Sequence, residues 1–261
     1  LVPTFSHRPA TLAASIGALV ATIGGNAHAQ HFQMPASVSS DSSMPVAHPS
    51  GLLPRATTSF GAVTEDGWIY MLGGYTGPPH DYYREAQCND FLRVNVHDPS
   101  HIEYLPHDQK IQSCSLEAFD GRVFRIGGMI AHNSQDEPQA LDSVDDVLAF
   151  DAEARAWYPM PSLPHRRSSH DSTMAGSRIV VAGGWGMDHE ADDQIWHEDI
   201  LILDLEDLDG GWRSIPAPFK RRAVATTAIG DQVVTIGGIT DDRKMSHSVD
   251  VLDLETQRWT S

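Results

Sequence analysis

The chain has 261 residues, 41% of them hydrophobic, and a formal net charge of −17. This composition is that of a globular protein and excludes a disordered chain or a collagen-like fibre. The negative charge repels nucleic acids and anionic membrane surfaces, and two cysteines exclude a disulfide-dense scaffold or a four-cysteine zinc site.

The first 29 residues have the pattern of a secretory signal peptide. A basic n-region at residues 7–8 precedes an apolar stretch over 11–23, and Ala-His-Ala at 27–29 is a small-x-small cleavage site. The apolar stretch is shorter than the roughly 20 residues that a membrane span needs. We therefore expect an exported protein, periplasmic or secreted, without membrane insertion after signal removal; an N-terminal membrane anchor is the alternative. Residues 30–53, rich in Ser, Pro, Met and His without periodicity, are predicted to be a linker.

A repeat follows the linker. Four apolar runs end in glycine pairs, at intervals of 54, 56 and 54 residues: Gly73-Gly74, Gly127-Gly128, Gly183-Gly184 and Gly237-Gly238. Each run is short and follows a reverse turn and another candidate strand, which predicts a β-hairpin. A third strand is predicted after a polar loop in each unit, at 91–96, 147–150, 200–203 and 249–252. An acidic turn and an aromatic residue complete the units, namely Tyr104, Trp157, Trp212 and Trp259.

The repeat predicts an all-β fold of four four-stranded units. Their approximate bounds are 54–106, 107–161, 162–218 and 219–261. Radial stacking of such units buries the sheet faces against one another. The glycines are expected to allow close backbone approach near the inner strands, and the aromatic residue to fill the wedge between neighbouring sheets.

This pattern resembles the kelch repeat over roughly residues 54–261. The shared features are the apolar strand ending in Gly-Gly, the third strand, and Trp about six residues beyond an acidic turn; Tyr104 replaces this Trp in the first unit. The resemblance implies a kelch-type β-propeller. Kelch propellers typically have about six or seven blades, so we expect the four blades to belong to a larger ring. A true four-bladed ring is the alternative.

The resemblance also implies a binding face formed by the long loops at about 75–90, 129–146, 185–199 and 239–248. Recurring basic residues are expected to converge there beside loop aromatics and histidines, and guanidinium groups suit carboxylates. The predicted ligand-binding residues are Arg55, Lys110, Arg167, Arg221, Tyr75, His80, Tyr82, Trp185 and His189. The alternatives are that the arginines bond carbonyl groups between blades and that the aromatics pack the loops on themselves.

Two further groups of residues have side chains suited to a disulfide or to a metal site. By the kelch topology Cys88 and Cys114 lie near one face on adjacent blades, and export makes a disulfide feasible; two separate buried thiols are the alternative. The group His189, Asp192, Asp193 and His197 has metal-ligand residue types, but its spacing matches no known site. No catalytic motif is present, so we predict no catalytic residue, no metal and no cofactor.

The sequence therefore predicts an exported, non-catalytic binding or scaffolding protein. Its expected partner is an acidic sugar, an acidic peptide segment or another protein. The alternative is a periplasmic carbohydrate-active enzyme that resembles the sialic-acid mutarotases, since these are exported kelch proteins whose sugar-acid substrate suits a basic mouth.

Overall fold

A computed structural model describes residues 51–191 and 193–261, so the predicted signal peptide, residues 30–50 of the linker and Asp192 lie outside the described residues. Strands dominate the described part, beside two short 3-10 helices at Arg84–Ala86 and Leu208–Gly210. No helix among these residues is long and apolar enough to cross a membrane.

The strands follow the predicted repeat. The first unit contains β1 (Gly61–Glu65), β2 (Trp68–Leu72), β3 (Phe91–Asn95) and β4 (Ile102–Leu105). The second contains β5 (Ser115–Phe119), β6 (Arg122–Ile126), β7 (Met129–Ala131), β8 (Leu141–Ser143), β9 (Val147–Asp151) and β10 (Ala156–Pro159). The third contains β11 (Asp171–Ala175), β12 (Arg178–Ala182), β13 (Trp185–Asp188), β14 (Asp193–Trp196), β15 (Asp199–Asp204) and β16 (Arg213–Pro216). The fourth contains β17 (Arg221–Arg222), β18 (Ala225–Ile229), β19 (Gln232–Ile236), β20 (Ile239–Thr240), β21 (Val249–Asp253) and β22 (Arg258–Thr260).

Each unit forms one four-stranded antiparallel blade. The strand orders are β1-β2-β3-β4, β5-β6-β9-β10, β11-β12-β15-β16 and β18-β19-β21-β22. The predicted kelch-type propeller arrangement with four blades is confirmed; the larger ring stays a prediction. Two of the segments predicted as polar loops also contain small two-stranded sheets, β7-β8 and β13-β14, and in the fourth unit β20 of the loop pairs with β17. These strands have two to four residues each, too few for a periodic pattern in the sequence, although their backbone groups pair with each other.

Successive blades are joined near the start of their innermost strands by backbone hydrogen bonds. The amides of Ser113, Ser169 and Ala223 donate to the carbonyls of Ser59, Ser113 and Ser169, at 2.7, 3.1 and 2.7 Å. All four residues have φ between 51° and 57°, in the left-handed region that non-glycine residues seldom adopt. The same strained turn therefore links each blade to the preceding one.

The hydrophobic core lies between the blades, as three clusters of buried side chains. The predicted Trp lies in the wedge between each pair of neighbouring blades. In the first wedge the ring centroid of Trp157 lies 5.0 Å from that of Phe91 in the preceding blade. Its indole N–H also donates to the carbonyl of the proline that closes the preceding blade; the pairs are Trp157 with Pro106, Trp212 with Pro161 and Trp259 with Pro216, at 2.6, 2.7 and 2.9 Å. The recurring Trp thus combines apolar packing with a hydrogen bond.

In the first three pairs the first glycine meets the backbone of the following blade. A Cβ atom on Gly183 would lie 2.5 Å from the carbonyl oxygen of Arg221, and the residue has a φ of 64°. Gly73 and Gly127 have the same close approach, at 2.3 and 2.4 Å. Only glycine combines this dihedral angle with this separation without strain.

Candidate functional site

The long-loop side of the propeller is held together by polar contacts between blades. Arg84 in the first loop donates to the carbonyl of His132 at 3.0 Å and to the hydroxyl of Ser134 at 2.9 Å. Asn133 donates to the carbonyl of Tyr82 at 3.0 Å. These bonds fix the loops relative to one another, which is what a preorganised binding surface requires.

Two of the predicted binding arginines are internal. Arg167 is fully buried and Arg221 is 2% exposed. Arg167 donates to the carbonyl of Gly183 at 3.0 Å and to the carboxylate of Asp199 at 2.5 Å, and Arg221 pairs in the same way with Asp250. The prediction that these groups face a ligand is corrected, because a buried guanidinium needs an internal carboxylate and both already have one.

The other two predicted cations are exposed but stand outside this pattern. Arg55 pairs with Asp90 at 2.9 Å, and Lys110 donates to the carbonyl of Arg84 at 3.1 Å. In the second blade the position equivalent to Arg167 is Ile111, the residue after Lys110. The Ile111 carbonyl accepts a hydrogen bond from Gly74, the second glycine of the preceding pair, as the Arg167 carbonyl does from Gly128. The expected ring of four convergent cations is therefore absent from the described residues.

The predicted aromatic residues divide into buried and accessible ones. Tyr75 is 2% exposed, donates its hydroxyl to the carbonyl of Asp81, and has its pKa raised to about 12 by burial. Its ring packs edge-on against that of Tyr82, with centroids 5.2 Å apart. The aromatic residues of this loop therefore pack on one another, and the prediction that Tyr75 contacts a ligand is wrong. Tyr82 is half-buried, and His80 is exposed beside it at 6.3 Å between ring centroids.

An unpredicted arginine occupies the loop side. Arg222 follows Arg221 in β17, and consecutive strand residues point to opposite sides. Its guanidinium lies 4.3 Å from the ring centroid of Trp185 and 5.7 Å from that of Trp196. Burial lowers its pKa, and Tyr82 and Arg243 are near enough to act on it. We call this surface, made by Tyr82, Trp185, Trp196, Arg222 and Arg243, the Arg222 face.

The Arg222 face contains hydrogen-bond donors without acceptors. The Nε atom of Arg222 and the indole nitrogen of Trp185 are buried and have no hydrogen-bond partner. Within residues 51–191 and 193–261, no carboxylate pairs with Arg222. Arg166 of the preceding blade does have one, Asp188 at 3.0 Å. The available signal in the sequence was the Arg-Arg pair itself, since a strand exposes one of two adjacent residues.

The axis of the propeller is lined by carboxyl groups instead of cations. A cavity of about 430 Å³ runs along the innermost strands of the four blades and is lined in part by Glu117, Asp171 and Thr226. Burial raises the pKa of Glu117 to about 7 and also raises that of Asp171. The hydroxyl of Ser172 donates to Glu117 at 2.7 Å, and the Thr226 amide donates to Asp171 at 2.7 Å. These carboxyls bridge neighbouring blades.

The two histidines of the third long loop have different surroundings. His197 is 6% exposed, bonds the carbonyl of Arg166 at 2.9 Å, and has its pKa lowered to about 4 by burial. His189 instead contacts Asp142 of the second blade at 2.9 Å. Of the four residues with metal-ligand types in this loop, Asp192 lies outside the described residues, and the two histidines have different partners.

Both cysteines are buried free thiols, which corrects the candidate disulfide. The Cys114 sulfur packs 3.2 Å from the position of a Cβ on Gly61, whereas Cys88 lies near Arg55 and Asp90. Burial raises the pKa of each thiol. Each thiol is thus enclosed by a different set of neighbours, in agreement with the alternative of two separate buried thiols.

Comparison with known proteins agrees with this architecture. Residues 59–261 match the family described as the KLHDC2/KLHL20/DRC7 Kelch-repeats domain. Kelch domain-containing protein 8B of Bos taurus is 31% identical over 116 residues, which is 42% of this chain and 33% of that protein. Kelch-like protein terF of Aspergillus terreus is 22% identical over 215 residues, 79% of this chain and 44% of that protein.

A solved structure shares the fold at low sequence identity. The structure of YjhT superposes with a TM-score of 0.61 at 13% identity, covering 81% of this chain and 67% of that one. The chain spans less than half the length of the curated relatives described above. The family match covers most of the chain and all four blades, and the protein therefore belongs to the kelch-repeat family.

Proposed function

We propose that this protein is a non-catalytic binding protein that takes an acidic peptide segment of a protein partner on the Arg222 face. The kelch propeller fold supports the coarser part of this proposal, a protein-binding or scaffolding role. One observation carries the finer part. The guanidinium of Arg222 is stacked on Trp185, with buried donors and no carboxylate partner among the described residues.

The chemistry of this face suits a carboxylate. Arginine on an aromatic ring keeps its planar donors oriented, and an arriving carboxylate accepts charge-assisted hydrogen bonds from them. Arg222 as a residue is only half-buried, so a carboxylate can approach its guanidinium group from solvent. Arg243, exposed nearby, adds a second positive charge to a chain whose formal net charge is −17. The two arginines therefore carry charges opposite in sign to the net charge of the whole protein.

An extended peptide fits this surface better than a catalytic substrate does. The titratable side chains that act on the pKa of Arg222 are Tyr82 and Arg243, and neither is a carboxylate or a histidine suited to general acid–base chemistry at neutral pH. Half-buried Trp185 and Trp196 offer rigid aromatic area, which is typical of residues that dominate protein interfaces. These features favour binding over the sugar-converting alternative.

A peptide array tests the proposal. Each acidic peptide is paired with the same sequence carrying Asn and Gln in place of Asp and Glu. We expect the acidic member to bind better and its binding to weaken as salt rises, since exposed charges are screened over about 8 Å at physiological ionic strength. Arg222→Gln should weaken binding about tenfold, which corresponds to the loss of about 1.4 kcal/mol of charge-assisted hydrogen bonding.

The matched control is Arg213→Gln, an exposed arginine of strand β16. This variant removes the same charge elsewhere and should bind acidic peptides as the unaltered protein does. Free sialic acid serves as a second probe, and its binding at the Arg222 face in preference to any peptide would favour the acidic-sugar partner. If the Arg222→Gln protein retains full affinity for acidic peptides, the site assignment is wrong.

We also propose that the protein is exported. The support is the signal-peptide pattern of residues 1–29. Expression of the whole chain in a bacterial host, followed by fractionation and N-terminal sequencing, should find a periplasmic protein that begins at Gln30. Full-length material retained in the cytoplasm would contradict export.

A further inference from the structure

Two histidines and an aspartate from neighbouring blades meet on the long-loop side. The Nε2 atom of His132 lies 3.0 Å from Oδ2 of Asp142, and Nδ1 of His189 lies 2.9 Å from Oδ1 of the same carboxylate. The three ligand-type atoms lie within 4.8 Å of one another. The imidazole rings are stacked, with centroids 4.8 Å apart. This cluster is separate from the residues that form the Arg222 face.

The small hairpins of the loop segments create the cluster. Asp142 in β8 pairs with Ile130 in β7, and the first residue beyond β7 is His132. His189 follows β13 of the third blade, and its backbone amide donates to Asp142 Oδ1 at 2.9 Å. The amide of Met187 also donates to the hydroxyl of Ser143, at 3.1 Å. Backbone pairing therefore holds the three side chains together before any ion binds.

The donor set is that of a transition-metal site. Two imidazole nitrogens and one carboxylate oxygen suit zinc and its neighbours, whereas calcium and magnesium prefer oxygen ligands alone. Two ligand atoms on a tetrahedral zinc ion are about 3.4 Å apart. Each imidazole nitrogen lies 2.9 or 3.0 Å from one oxygen of Asp142, and all three ligand atoms lie within 4.8 Å of one another, so side-chain rotations within the cluster can bring them to this spacing. The His132 and His189 side chains are 46% and 29% exposed, so an ion can enter and water can complete its coordination.

One nearby arginine carries a positive charge that opposes binding of a metal ion, but a second carboxylate neutralises this charge. The Arg166 guanidinium lies 4.0 Å from Asp142 Oδ1, but it bonds Asp188 at the shorter distance of 3.0 Å. Asp188 precedes His189 directly and adds a second negative charge beside the cluster. The carboxylates of Asp142 and Asp188 together exceed the single charge of Arg166.

We propose that His132, Asp142 and His189 form a binding site for a divalent transition-metal ion of the zinc class, which ties the β7-β8 hairpin of the second blade to the β13-β14 hairpin of the third. Such an ion would lock the long-loop side without taking part in catalysis. Because the three ligands come from two repeats, the site exists only when these two blades are stacked.

Calorimetric titration of the untagged protein with zinc chloride tests the proposal. We expect saturable binding of one ion per chain and a rise in melting temperature that EDTA reverses, since an ion bound to the folded state stabilises it. Cobalt(II) provides a direct reading, because nitrogen and oxygen ligation changes its visible absorption spectrum. His132→Ala and His189→Ala should each weaken zinc binding about tenfold or more.

The control is His247→Ala, an exposed histidine in the fourth long loop, which should leave zinc binding and the cobalt spectrum unchanged. Asp142→Asn is a second ligand variant that keeps the size of the side chain. Circular dichroism of each variant verifies that it folds. Absence of saturable zinc binding by the unaltered protein overturns the proposal. Equal binding by the unaltered protein and both histidine variants overturns it as well.

Discussion

The third and fourth blades share one repeat and differ in what covers them. In the third blade every residue of the run from Ile179 to Ala182 is fully buried, because neighbouring blades cover both sheet faces. In the fourth blade Val233 is fully buried against the third blade, whereas Ile236 and Val249 on the other face are 43% and 49% exposed. The same apolar run thus specifies a strand in both blades, and the neighbouring blade determines what fraction of its side-chain surface is buried.

The glycine pairs show the same contrast. Gly183 and Gly237 have nearly equal φ values, 64° and 63°. A Cβ on Gly183 would meet the carbonyl oxygen of Arg221 at 2.5 Å, while the nearest atom to a Cβ on Gly237 is the carbonyl oxygen of Ser246, at 3.6 Å. The local backbone conformation belongs to the repeat, but the close approach requires the following blade.

The largest expected difference comes from removing an equivalent apolar side chain in each blade. Ile200 pairs with Ala182, and Val249 pairs with Ile236, each just before a glycine pair. Ile200→Ala should lower the free energy of unfolding by about 2–5 kcal/mol because it leaves a cavity. Val249→Ala should change it by less than about 0.5 kcal/mol because the site is open to water. Urea unfolding measures both, and equal losses would contradict the comparison.

The glycine substitutions give a smaller difference. Gly183→Ala and Gly237→Ala both place a side chain at positive φ, which costs about 1–2 kcal/mol. Gly183→Ala should cost about 1–3 kcal/mol more, because its Cβ also overlaps the Arg221 carbonyl. Thermal unfolding of the two variants, with Gly67→Ala as a positive-φ control in open space, measures the difference. A Gly237→Ala variant as unstable as Gly183→Ala would show that the fourth blade is covered in solution.

A covered interface should also give the protein a pH dependence that the open face lacks. Glu117 lies between the second and third blades, whereas Thr227 occupies its register position in the fourth. Burial raises the pKa of Glu117 from 4.5 to about 7. Its contribution to stability is therefore full below pH 4.5 and is lost as the pH rises through 7.

The Glu117→Gln variant removes this titration. Its free energy of unfolding should fall less than that of the unaltered protein between about pH 5 and pH 8. Burial lowers the pKa values of the His170 and His197 imidazoles from 6.5 to about 3 and about 4, so these groups raise stability as the pH rises to 6.5. Both proteins share this effect, and the difference between their two stability curves isolates Glu117. Parallel stability curves for the two proteins over this range would contradict the assignment.

The smallest expected effect on folding belongs to the open face itself. Ile229 is 75% exposed on the fourth blade, so Ile229→Lys should change the free energy of unfolding by less than about 0.5 kcal/mol. The lysine should nevertheless reduce self-association in sedimentation, since charges on an exposed sheet discourage contact between copies. Monomeric behaviour of the unaltered protein at all concentrations would contradict that second expectation.

Local features of the sequence were enough to predict the blades. Strands are specified by short apolar runs, hairpins by the turns before them, and the wedge position by a Trp at a fixed distance from an acidic turn. Each signal lies within one repeat and recurs four times, so errors in one unit are corrected by the others. The β7-β8 and β13-β14 hairpins escaped prediction because their strands have only three or four residues each, too few for a periodic pattern to be recognised.

The sequence by itself determined the kelch repeat, the four blades and the glycine pairs, because these follow from periodic patterns read along the chain. Only the tertiary structure decided which of the adjacent residues Arg221 and Arg222 is buried, and that His132, Asp142 and His189 meet. The physical reason is that burial and convergence depend on the neighbouring blade. A pattern within one repeat specifies an arginine and a strand, but the carboxylate, ring or carbonyl that the arginine meets comes from residues distant in sequence.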